Sequence, residues 1–524
     1  MASREDLAVI RAARAGRAEA QLALGRRYLQ GGNGLPQSFS TALHWLDRAA
    51  RQGLADAWLF IGEHIPFEAV VQAPQPLDYV LWYERAFDTG LQVAGLAFAR
   101  LVLAFKDHPG AQGMLAKALK VLEAEAHAGT AEAQWLLSQQ QLGTPSRGKL
   151  PADLSAAAEV AANWAQKAAD AGVGPAQLAL ADAAWQRDDK SDFIRRAWPL
   201  AKALLGQFGT QLTQLNGPSE NLAAHLGADN IVLLSRLSLA AAELGEIKIE
   251  EVQQLLELGA YADDKIAQLS LGLFFARMTE DGSKAFCHCG SANYKKAIRW
   301  LNLAGERGLA AAWYALSRIY LKPEFSQRNL ADAQYYLEHA AEMGHVLAQL
   351  ECGSGAWRNR RDDPANDVRA AYWLQKASAQ GSDDARQLLA KITDRSRPAA
   401  WALEARQYMT REFLLAYPFL AARLELATQF GLTRPEALLI DLKQADCGHC
   451  LVVDIRDYYA RSKRRLILIA TGDERQALNR IGRLFEDVDC SLSGPEGNYR
   501  QRLYRLKTAV PVAVAEEESL ADVS

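Results

Sequence analysis

The nine residues WLDRAARQG, from Trp45 to Gly53, recur in altered form along the chain. Each copy begins with an aromatic residue, has alanine four positions later and ends on glycine. The further copies are Trp82–Gly90, Trp164–Gly172, Trp300–Gly308, Tyr336–Gly344 and Trp373–Gly381. In the first copy Ala42, Trp45 and Ala49 share one helical stripe. Gly53 follows the last turn, where a left-handed residue is needed to close the helix, and it therefore predicts the helix end.

A second pattern precedes the first and predicts a second amphipathic helix. Ala20, Leu24, Gly25 and Tyr28 stand at i, i+4, i+5 and i+8, which lie on one helical face. The small residue at i+5 lets a neighbouring helix approach closely. The same offsets hold the sets that begin at Ala57, Ala94, Ala176, Ala267, Ala312 and Ala348.

The two patterns together predict a repeated unit of helix A, a loop, helix B and a glycine. The step between units is 37 residues from Ala20 to Ala57 and 36 residues from Ala312 to Ala348. One such pair of helices cannot bury both of its apolar faces, whereas stacked pairs bury them against their neighbours. The expected fold is therefore mainly α: an α/α superhelical solenoid of helix-turn-helix repeats.

On these residues the chain resembles the Sel-one-like repeat family, a relative of the tetratricopeptide repeat. That family has A-x-x-x-L-G-x-x-Y on its first helix and ends its second helix on W-Y-x-K-A-A-x-x-G. The resemblance covers roughly residues 5–393 in about ten units; it is good at 18–53 and 309–381, looser at 54–180 and degenerate around 185–262. It implies an adaptor that assembles or regulates protein complexes.

Two parts of the repeat region depart from the pattern. Within the degenerate part, Asn230–Gly245 and Glu250–Gly259 still indicate helices, and the gap from Ala176 to Ala267 has room for two units. Two further units carry longer polar loops between helix A and helix B. A long loop on a regular scaffold is either functional or tolerated drift, and the sequence leaves both open.

Composition excludes several classes of protein. A formal net charge of −3 over 524 residues favours neither a nucleic-acid binder nor a membrane-surface protein overall. The first ten residues lack a secretory apolar core, and the longest uncharged apolar run, Phe413–Ala422, is too short for a membrane span. Six cysteines are too few for a disulfide framework. We expect a soluble cytoplasmic protein, and the excess of arginine over lysine suggests a bacterial source.

After residue 393 the period ends, and a different module is expected at 394–510, followed by an acidic disordered tail at 511–524. The module reads as α+β. Its predicted elements are a helical stretch at 399–430 broken at Pro418, strands at Ala437–Lys443, Cys450–Arg456 and Arg464–Ala470, a helix at Asp473–Val488 and a possible last strand at Tyr499–Thr508.

Two cysteine pairs raise the question of a metal or redox site. Cys287 and Cys289 stand in one long loop, and Cys447 and Cys450 form a C-x-x-C motif. Structural zinc sites need two ligand pairs, and neither pair has a second one nearby. A hairpin turn at Gly448 fits the C-x-x-C motif better than a thioredoxin-like site does. We therefore expect no metal and no cofactor, and Cys352 fits a core packing position.

The module is basic, and its arginines offer an alternative function. Two clusters carry this charge: Lys463, Arg464 and Arg465 in one, and Arg500, Arg502 and Arg505 in the other. They could form a phosphate-contacting face or simply a solvated surface. The alternative hypothesis is therefore that the module binds nucleic acid or a small ligand and that the repeats act as a targeting scaffold.

No catalytic motif appears, and we expect no catalytic residue. The chain lacks a phosphate-binding glycine loop, H-E-x-x-H and G-x-S-x-G. Three of its scattered histidines, His44, His339 and His345, fall within the repeat frame. The leading hypothesis is a non-enzymatic scaffold that binds a protein partner on the repeats. For the repeat core, burial of Trp45 and Trp373 between helices predicts a loss of about 3–5 kcal/mol on replacement by alanine.

Overall fold

The computed structural model describes residues 4–31, 35–141, 156–212, 215, 217–285, 291–394 and 397–510. The chain divides into two compact units, Met1–Asp263 and Asp264–Ser524. Helices dominate both units. Alanine and leucine, which favour helix, are abundant throughout, and glycines separate the elements.

Helices are the only regular secondary-structure elements in the described residues of the first unit. Its helices are α1 Arg4–Arg14, α2 Ala18–Gln30, α3 Phe39–Arg51, α4 Ala55–His64, α5 Phe67–Val71, α6 Leu77–Asp88, α7 Val93–Ala104, α8 Pro109–Gln112, α9 Leu115–His127, α10 Ala131–Gln141, α11 Ala156–Asp170, α12 Gly174–Gln186, α13 Lys190–Leu212, α14 Glu220–Leu226, α15 Ala228–Leu244 and α16 Ile249–Tyr261.

The second unit continues the helices and ends in a mixed module. Its helices are α17 Lys265–Ala276, α18 Tyr294–Glu306, α19 Ala310–Leu321, α20 Leu330–Glu342, α21 Val346–Arg358, α22 Asn366–Ala379, α23 Asp383–Ile392, α24 Ala400–Arg406, α25 Arg411–Ala416, α26 Pro418–Phe430, α27 Arg434–Leu439, α28 Leu442–Ala445, α29 Gly472–Leu484 and α30 Tyr499–Ala509. Its strands are β1 Cys450–Val453 and β2 Arg465–Leu468.

The predicted helix-turn-helix repeats are confirmed. The pairs of helix A and helix B are α2/α3, α4/α6, α7/α9, α10/α11, α12/α13 and α15/α16 in the first unit, and α17/α18, α19/α20 and α21/α22 in the second. The two helices expected at Asn230–Gly245 and Glu250–Gly259 are present as α15 and α16, and α13 also lies in the degenerate stretch. The α+β module that follows contains the small two-stranded sheet.

The small residue of helix A is the point where the two helices of a pair come closest. A Cβ atom placed on Gly25 would lie 2.7 Å from Leu46 Cγ and 3.3 Å from the carbonyl oxygen of Ala42. Gly353 meets Leu374 Cγ and the carbonyl oxygen of Ala370 at the same two distances. Gly272 meets Leu301 and Ala297 in the same way. The role predicted for the i+5 position is therefore confirmed.

The tryptophan that opens the repeated nonamer is not uniformly a core residue. Trp45 and Trp373 are only half-buried, whereas Leu46 and Leu374, which follow them, have 0% exposure. The contact with helix A runs through Ala42 and Leu46, four residues apart on helix B. A residue one position earlier is turned by about 100° away from that line. The prediction that Trp45 and Trp373 are buried between helices is therefore wrong, although Trp82 at the same position is buried.

Glycine ends helix B in the expected left-handed conformation. Gly53 has φ +88°, and the amide of Leu54 donates to the carbonyl oxygen of Ala49, five residues back. This hydrogen-bond pattern closes a helix by satisfying one of its last carbonyls. The other glycines that end a copy of the nonamer are Gly90, Gly172, Gly308, Gly344 and Gly381, with φ between +89° and +104°.

A glutamine side chain links each of several repeats to the one before it. The amide of Gln349 in α21 donates to the carbonyl oxygen of Ala341 at the end of α20, at 3.0 Å. Gln380 in turn donates to the side-chain oxygen of Gln349 at 2.9 Å. The same chain of bonds joins Gln52 and Gln21 to α1 in the first unit. Helix ends that would be buried without partners are thereby satisfied.

In other repeats, the contact between helix A and the helix B before it pairs a large side chain with a glycine. Trp313 takes the position of the glutamine, and the opposing residue of α18 is Gly305, where a Cβ atom would lie 2.6 Å from the indole. In α6 and α7 the order is reversed, with Phe87 opposite Gly95 and a corresponding distance of 2.7 Å. A large side chain in one helix therefore faces a glycine in the other, which keeps the helices closely packed.

The C-terminal module is more helical than the sequence predicted. The expected strand at Ala437–Lys443 is wrong, because Thr433 and Glu436 form a capping box that starts α27 there. The possible strand at Tyr499–Thr508 is also wrong, since Asn498 and Gln501 cap α30 in the same way. The two other strands and the helix at 472–484 are present, and α26 begins at Pro418 as expected.

The hairpin of β1 and β2 is apolar on both faces. Cys450, Val452 and Leu466 contact the apolar residues of α22 and α23, including Leu374. The alternate residues, Leu451, Val453 and Ile467, lie in the core of the module. Asp394 also joins the sheet edge, since its amide donates to the carbonyl oxygen of Leu466 at 2.8 Å. The predicted domain boundary at 393/394 therefore lies within a shared core of the second unit.

We predict opposite effects for two glycines of α21. Gly353→Ala places a methyl group against Leu374 and the Ala370 carbonyl, so local stability should fall by about 1–3 kcal/mol. Gly355→Ala meets no atom within 4 Å, so it should stabilise the helix by up to about 1 kcal/mol. Hydrogen exchange of the α21 and α22 amides would report both. Equal effects of the two substitutions would contradict the close approach.

A second prediction compares two neighbouring residues of α22. Leu374→Ala should destabilise by about 2–5 kcal/mol, because it leaves a cavity beneath Gly353. Trp373→Ala should cost less, because Trp373 is only partly buried whereas Leu374 is fully buried. Urea unfolding of both variants measures the two losses in the free energy of unfolding. A larger loss for Trp373→Ala than for Leu374→Ala would support burial of Trp373 between the helices.

Candidate partner-binding surface

Aromatic side chains are grouped on consecutive B helices of the second unit. Tyr335 and Tyr336 open the repeated segment of α20, and Tyr372 and Trp373 occupy the same positions in α22. We call these four residues the aromatic strip. Tyr335 is 64% exposed and Tyr372 36%. Because they hold one position in consecutive repeats, they face the same side of the helix stack.

The strip is held from below by the A helices. The indole of Trp313 in α19 stacks on the ring of Tyr336, with centroids 5.7 Å apart and planes 12° from parallel. His339 packs its edge against the same indole at 5.1 Å. Trp373 contacts the apolar cluster that includes Cys352, which is buried as expected. Rings with fixed orientations lose little conformational freedom when they bind a partner.

A cation borders the strip at α22. The ammonium group of Lys376 lies 4.4 Å from the ring centroid of Tyr372 and 5.4 Å from that of Trp373. His449 of the C-terminal module packs against Tyr372 at 5.4 Å. The surface therefore combines one positive charge with exposed aromatic rings, a residue class that is enriched in protein interfaces.

A related arrangement occurs in the first unit with a different exposure. Trp58 of α4 stacks on Trp82 of α6 at 6.2 Å, and the guanidinium of Arg85 lies over both rings. The indole nitrogen of Trp82 donates to Asp47 at 2.8 Å, which ties α6 to α3. Trp82 is buried, so this group holds repeats together. The sequence did not predict the hydrogen bond between Trp82 and Asp47, because this bond depends on the packing of neighbouring repeats.

Most side chains of the predicted basic face bind other groups of the protein and are not free to contact a ligand. Arg464 forms ion pairs with Asp367 of α22 at 2.7 Å and with Asp454 at 3.2 Å. Its hydrogen bonds to Asp367 are the main reason that the pKa of this guanidinium is raised. Arg465 pairs with Glu436 at 2.7 Å and with Asp394 at 3.1 Å. Arg464 therefore joins α22 of the repeats to the module, whereas Arg465 pairs with carboxylates of the module itself.

The second basic cluster divides in a similar way. Arg502 is 2% exposed and donates to four backbone carbonyl groups, including that of Leu438 at 2.7 Å. Arg505 donates to the carbonyl oxygen of Glu496. Lys463 and Arg500 remain exposed. A contiguous phosphate-contacting face made of all six predicted side chains therefore does not form.

A buried ion pair organises the inside of the module. The guanidinium of Arg423 forms two hydrogen bonds with Glu496 and donates to the carbonyl oxygens of Ala437 and Ile440. Both charged side chains are at least 96% buried. A buried charge is tolerated only when its hydrogen-bonding groups are satisfied, as they are here. The pair fixes the loop before α30 against α26 and α27.

The C-x-x-C motif forms a tight turn. The amide of Cys447 donates to the carbonyl oxygen of Cys450 at 3.1 Å, and Gly448 has φ +82° at the tip. The hairpin-turn interpretation agrees with this geometry, although the segment before the turn is helix α28. Cys450 is buried while Cys447 is exposed. Desolvation is the main cause of the raised pKa of both thiols, and that of Cys450 reaches about 12.

The described residues contain no group of three or more His, Cys, Asp or Glu side chains able to hold a metal ion. Cys287 and Cys289 lie outside the described residues, as do the predicted acidic tail, the first long loop at 142–155 and part of the second. The expectation that the cysteines bind no metal stays a prediction.

Comparison with known families decides what the repeats are. The Sel1 repeat matches five segments, at residues 18–54, 131–173, 266–309, 310–345 and 348–382. The chain carries Sel1 repeats. The aromatic strip lies on two of them, those at 310–345 and 348–382. Proteins with Sel1 repeats generally mediate protein–protein interactions, and the family is one of non-catalytic interaction scaffolds.

Two solved structures with Sel1-type repeats are similar to the chain. One is c5321, a protective antigen present in uropathogenic Escherichia coli strains that displays an SLR fold; it is 18% identical, with 98% of this chain and 96% of that chain covered and a TM-score of 0.48. The other is a Sel1 repeat protein from Oxalobacter formigenes, 20% identical, with 74% and 90% covered and a TM-score of 0.25. No curated protein matches the chain.

A polar cluster joins the A helices of two consecutive Sel1 repeats, and no pattern in the sequence predicted it. Tyr314 of α19 donates to Glu351 of α21 at 2.8 Å, and Arg318 forms an ion pair with the same carboxylate at 3.0 Å. His345 caps the start of α21 and stacks on Tyr314 at 4.4 Å. Burial lowers the pKa of His345. These residues join neighbouring repeats. His44, another histidine of the repeat frame, is exposed on its helix and does not take part in this cluster.

Within the described residues, no helix combines the length and the apolar character that a membrane span requires.

The raised thiol pKa values predict slow and unequal alkylation of the C-x-x-C turn. A thiol whose pKa lies above its usual range stays protonated near neutral pH, and the thiolate is the reactive form. We expect iodoacetamide to modify Cys447 slowly and to leave Cys450 unmodified in the folded protein. Peptide mass spectrometry after timed labelling measures both rates. Rapid modification of Cys450 in the folded protein would contradict its burial.

Proposed function

We propose that this protein is a non-enzymatic scaffold whose Sel1 repeats bind a protein partner through the aromatic strip. The observation that carries the proposal is the exposure of Tyr335 and Tyr372 at the same position of consecutive repeats. The interaction role of Sel1-repeat proteins in general supports it. The scaffold assembles or regulates the complex to which its partner belongs.

The domain organisation of this proposal follows the period of the sequence. Residues 1–393 act as the repeat scaffold, and residues 394–510 add a second contact or an output. The internal use of Arg464, Arg465 and Arg502 favours a protein partner over a nucleic acid, because these charges are already neutralised or satisfied. The proposal places the protein in the cytoplasm of a bacterium, in keeping with its few cysteines.

The proposal predicts that replacing both exposed tyrosines removes binding. In affinity capture with the full-length protein, Tyr335→Ala/Tyr372→Ala should reduce recovery of the partner by about tenfold or more, since buried interface tyrosines often contribute 2 kcal/mol or more. Tyr458→Ala is a matched control, because Tyr458 is an exposed tyrosine of the module. Unchanged capture by the double variant would refute the role of the strip.

Salt and nuclease separate this function from the alternative. Capture of a protein partner should change little between about 50 and 200 mM salt, whereas binding through many phosphates would weaken about 10³-fold or more. If capture were lost with nuclease and kept in the tyrosine variant, nucleic-acid binding by the C-terminal module would replace the proposal.

A further inference from the structure

A second surface, in the C-terminal module, has a different chemical character. A cleft of about 630 Å³ opens between the loop before α30 and the first turns of that helix. Its lining includes Leu492, Pro495, Arg500, Tyr504 and Arg505, with two arginines and no carboxylate side chain. Tyr504 is 71% exposed. Arg500 is exposed and has no hydrogen bond or ion pair with the described residues.

The walls of the cleft are fixed from beneath. Arg502 donates to the carbonyl oxygens of Ser491 at 2.9 Å and Gly497 at 2.7 Å, at the two ends of the loop. Arg505 donates to the carbonyl oxygen of Glu496, whose carboxylate is held by Arg423. These bonds hold the loop in place, so the cleft is formed before anything binds and little ordering remains to oppose binding.

We propose that the acidic segment Glu516–Glu518 of the same chain binds in this cleft, with its carboxylates on Arg500 and Arg505. The three glutamates supply the negative charge that the lining lacks. Binding within one chain also benefits from a high effective concentration, on the order of millimolar for a short linker.

The length of the intervening chain fits this proposal. Val510 ends the described residues directly after α30 and is buried. From there, Arg505 lies about 7.5 Å and Arg500 about 15 Å back along the helix, at 1.5 Å per residue. The glutamates come six to eight residues after Val510, which corresponds to a reach of up to about 20–28 Å. The segment is therefore long enough to turn back and short enough to arrive at the first turns of α30.

A photo-crosslinking experiment on the full-length chain tests the proposal. Benzoylphenylalanine replaces Tyr504, and mass spectrometry identifies the peptides it captures. We expect crosslinks to residues 511–524 of the same molecule. Glu516→Gln/Glu517→Gln/Glu518→Gln should lower their yield by about threefold or more, since each exposed ion pair contributes a modest amount. Higher salt should lower the yield as well.

Two controls make the outcome decisive. Benzoylphenylalanine at Tyr458, an exposed tyrosine outside the cleft lining, should give no crosslink to residues 511–524. Mixing isotopically light and heavy chains separates binding within one chain from binding between two copies. Light–heavy crosslinks, crosslinks to other molecules only, or a yield that the glutamine variant leaves unchanged would each overturn the proposal.

Discussion

The close contact between the small residue of helix A and the leucine face of helix B sets the spacing on which the repeats depend. At Gly25, Gly272 and Gly353 the partner side chain would lie within 2.7 Å of an added methyl group. Two helices that approach this closely exclude water and bring many atoms into van der Waals contact. Once that spacing is set, the next repeat can stack only where its own helix A fits the outside of helix B.

The contact between repeats is more varied in chemistry and equally constrained in volume. A glutamine amide satisfies the end of the preceding helix in some repeats, for example at Gln349. In others, an aromatic residue faces a glycine, with Trp313 on Gly305 and Phe87 on Gly95. Both solutions fill the same space. This freedom explains why the family pattern matches five segments clearly and leaves residues 55–130 and 174–265 unmatched, although helices continue through both.

The C-terminal module shows how charge can be misread when only sequence neighbours are considered. Arg464 and Arg465 stand next to Lys463 and together suggest an exposed basic patch. In the structure, Arg464 meets Asp367, a residue 97 positions earlier, while Arg465 meets Glu436. Because carboxylates distant in sequence pair with both arginines, these two side chains stabilise the fold instead of forming a ligand site. What remains available on the surface is the smaller cleft at Arg500 and Tyr504.

The amino-acid sequence by itself determined the repeat, the helix ends and the position of closest helix approach. These features follow from local patterns: a helical stripe, a glycine with positive φ and a small residue at i+5. Only the tertiary structure decided that Leu374, and not its neighbour Trp373, is the buried residue, since both suit a helix equally well. It also decided that the segment after Asn498 is a helix and that Tyr335 and Tyr372 face solvent. The physical reason is that burial and charge pairing depend on residues from other repeats, which no local pattern contains.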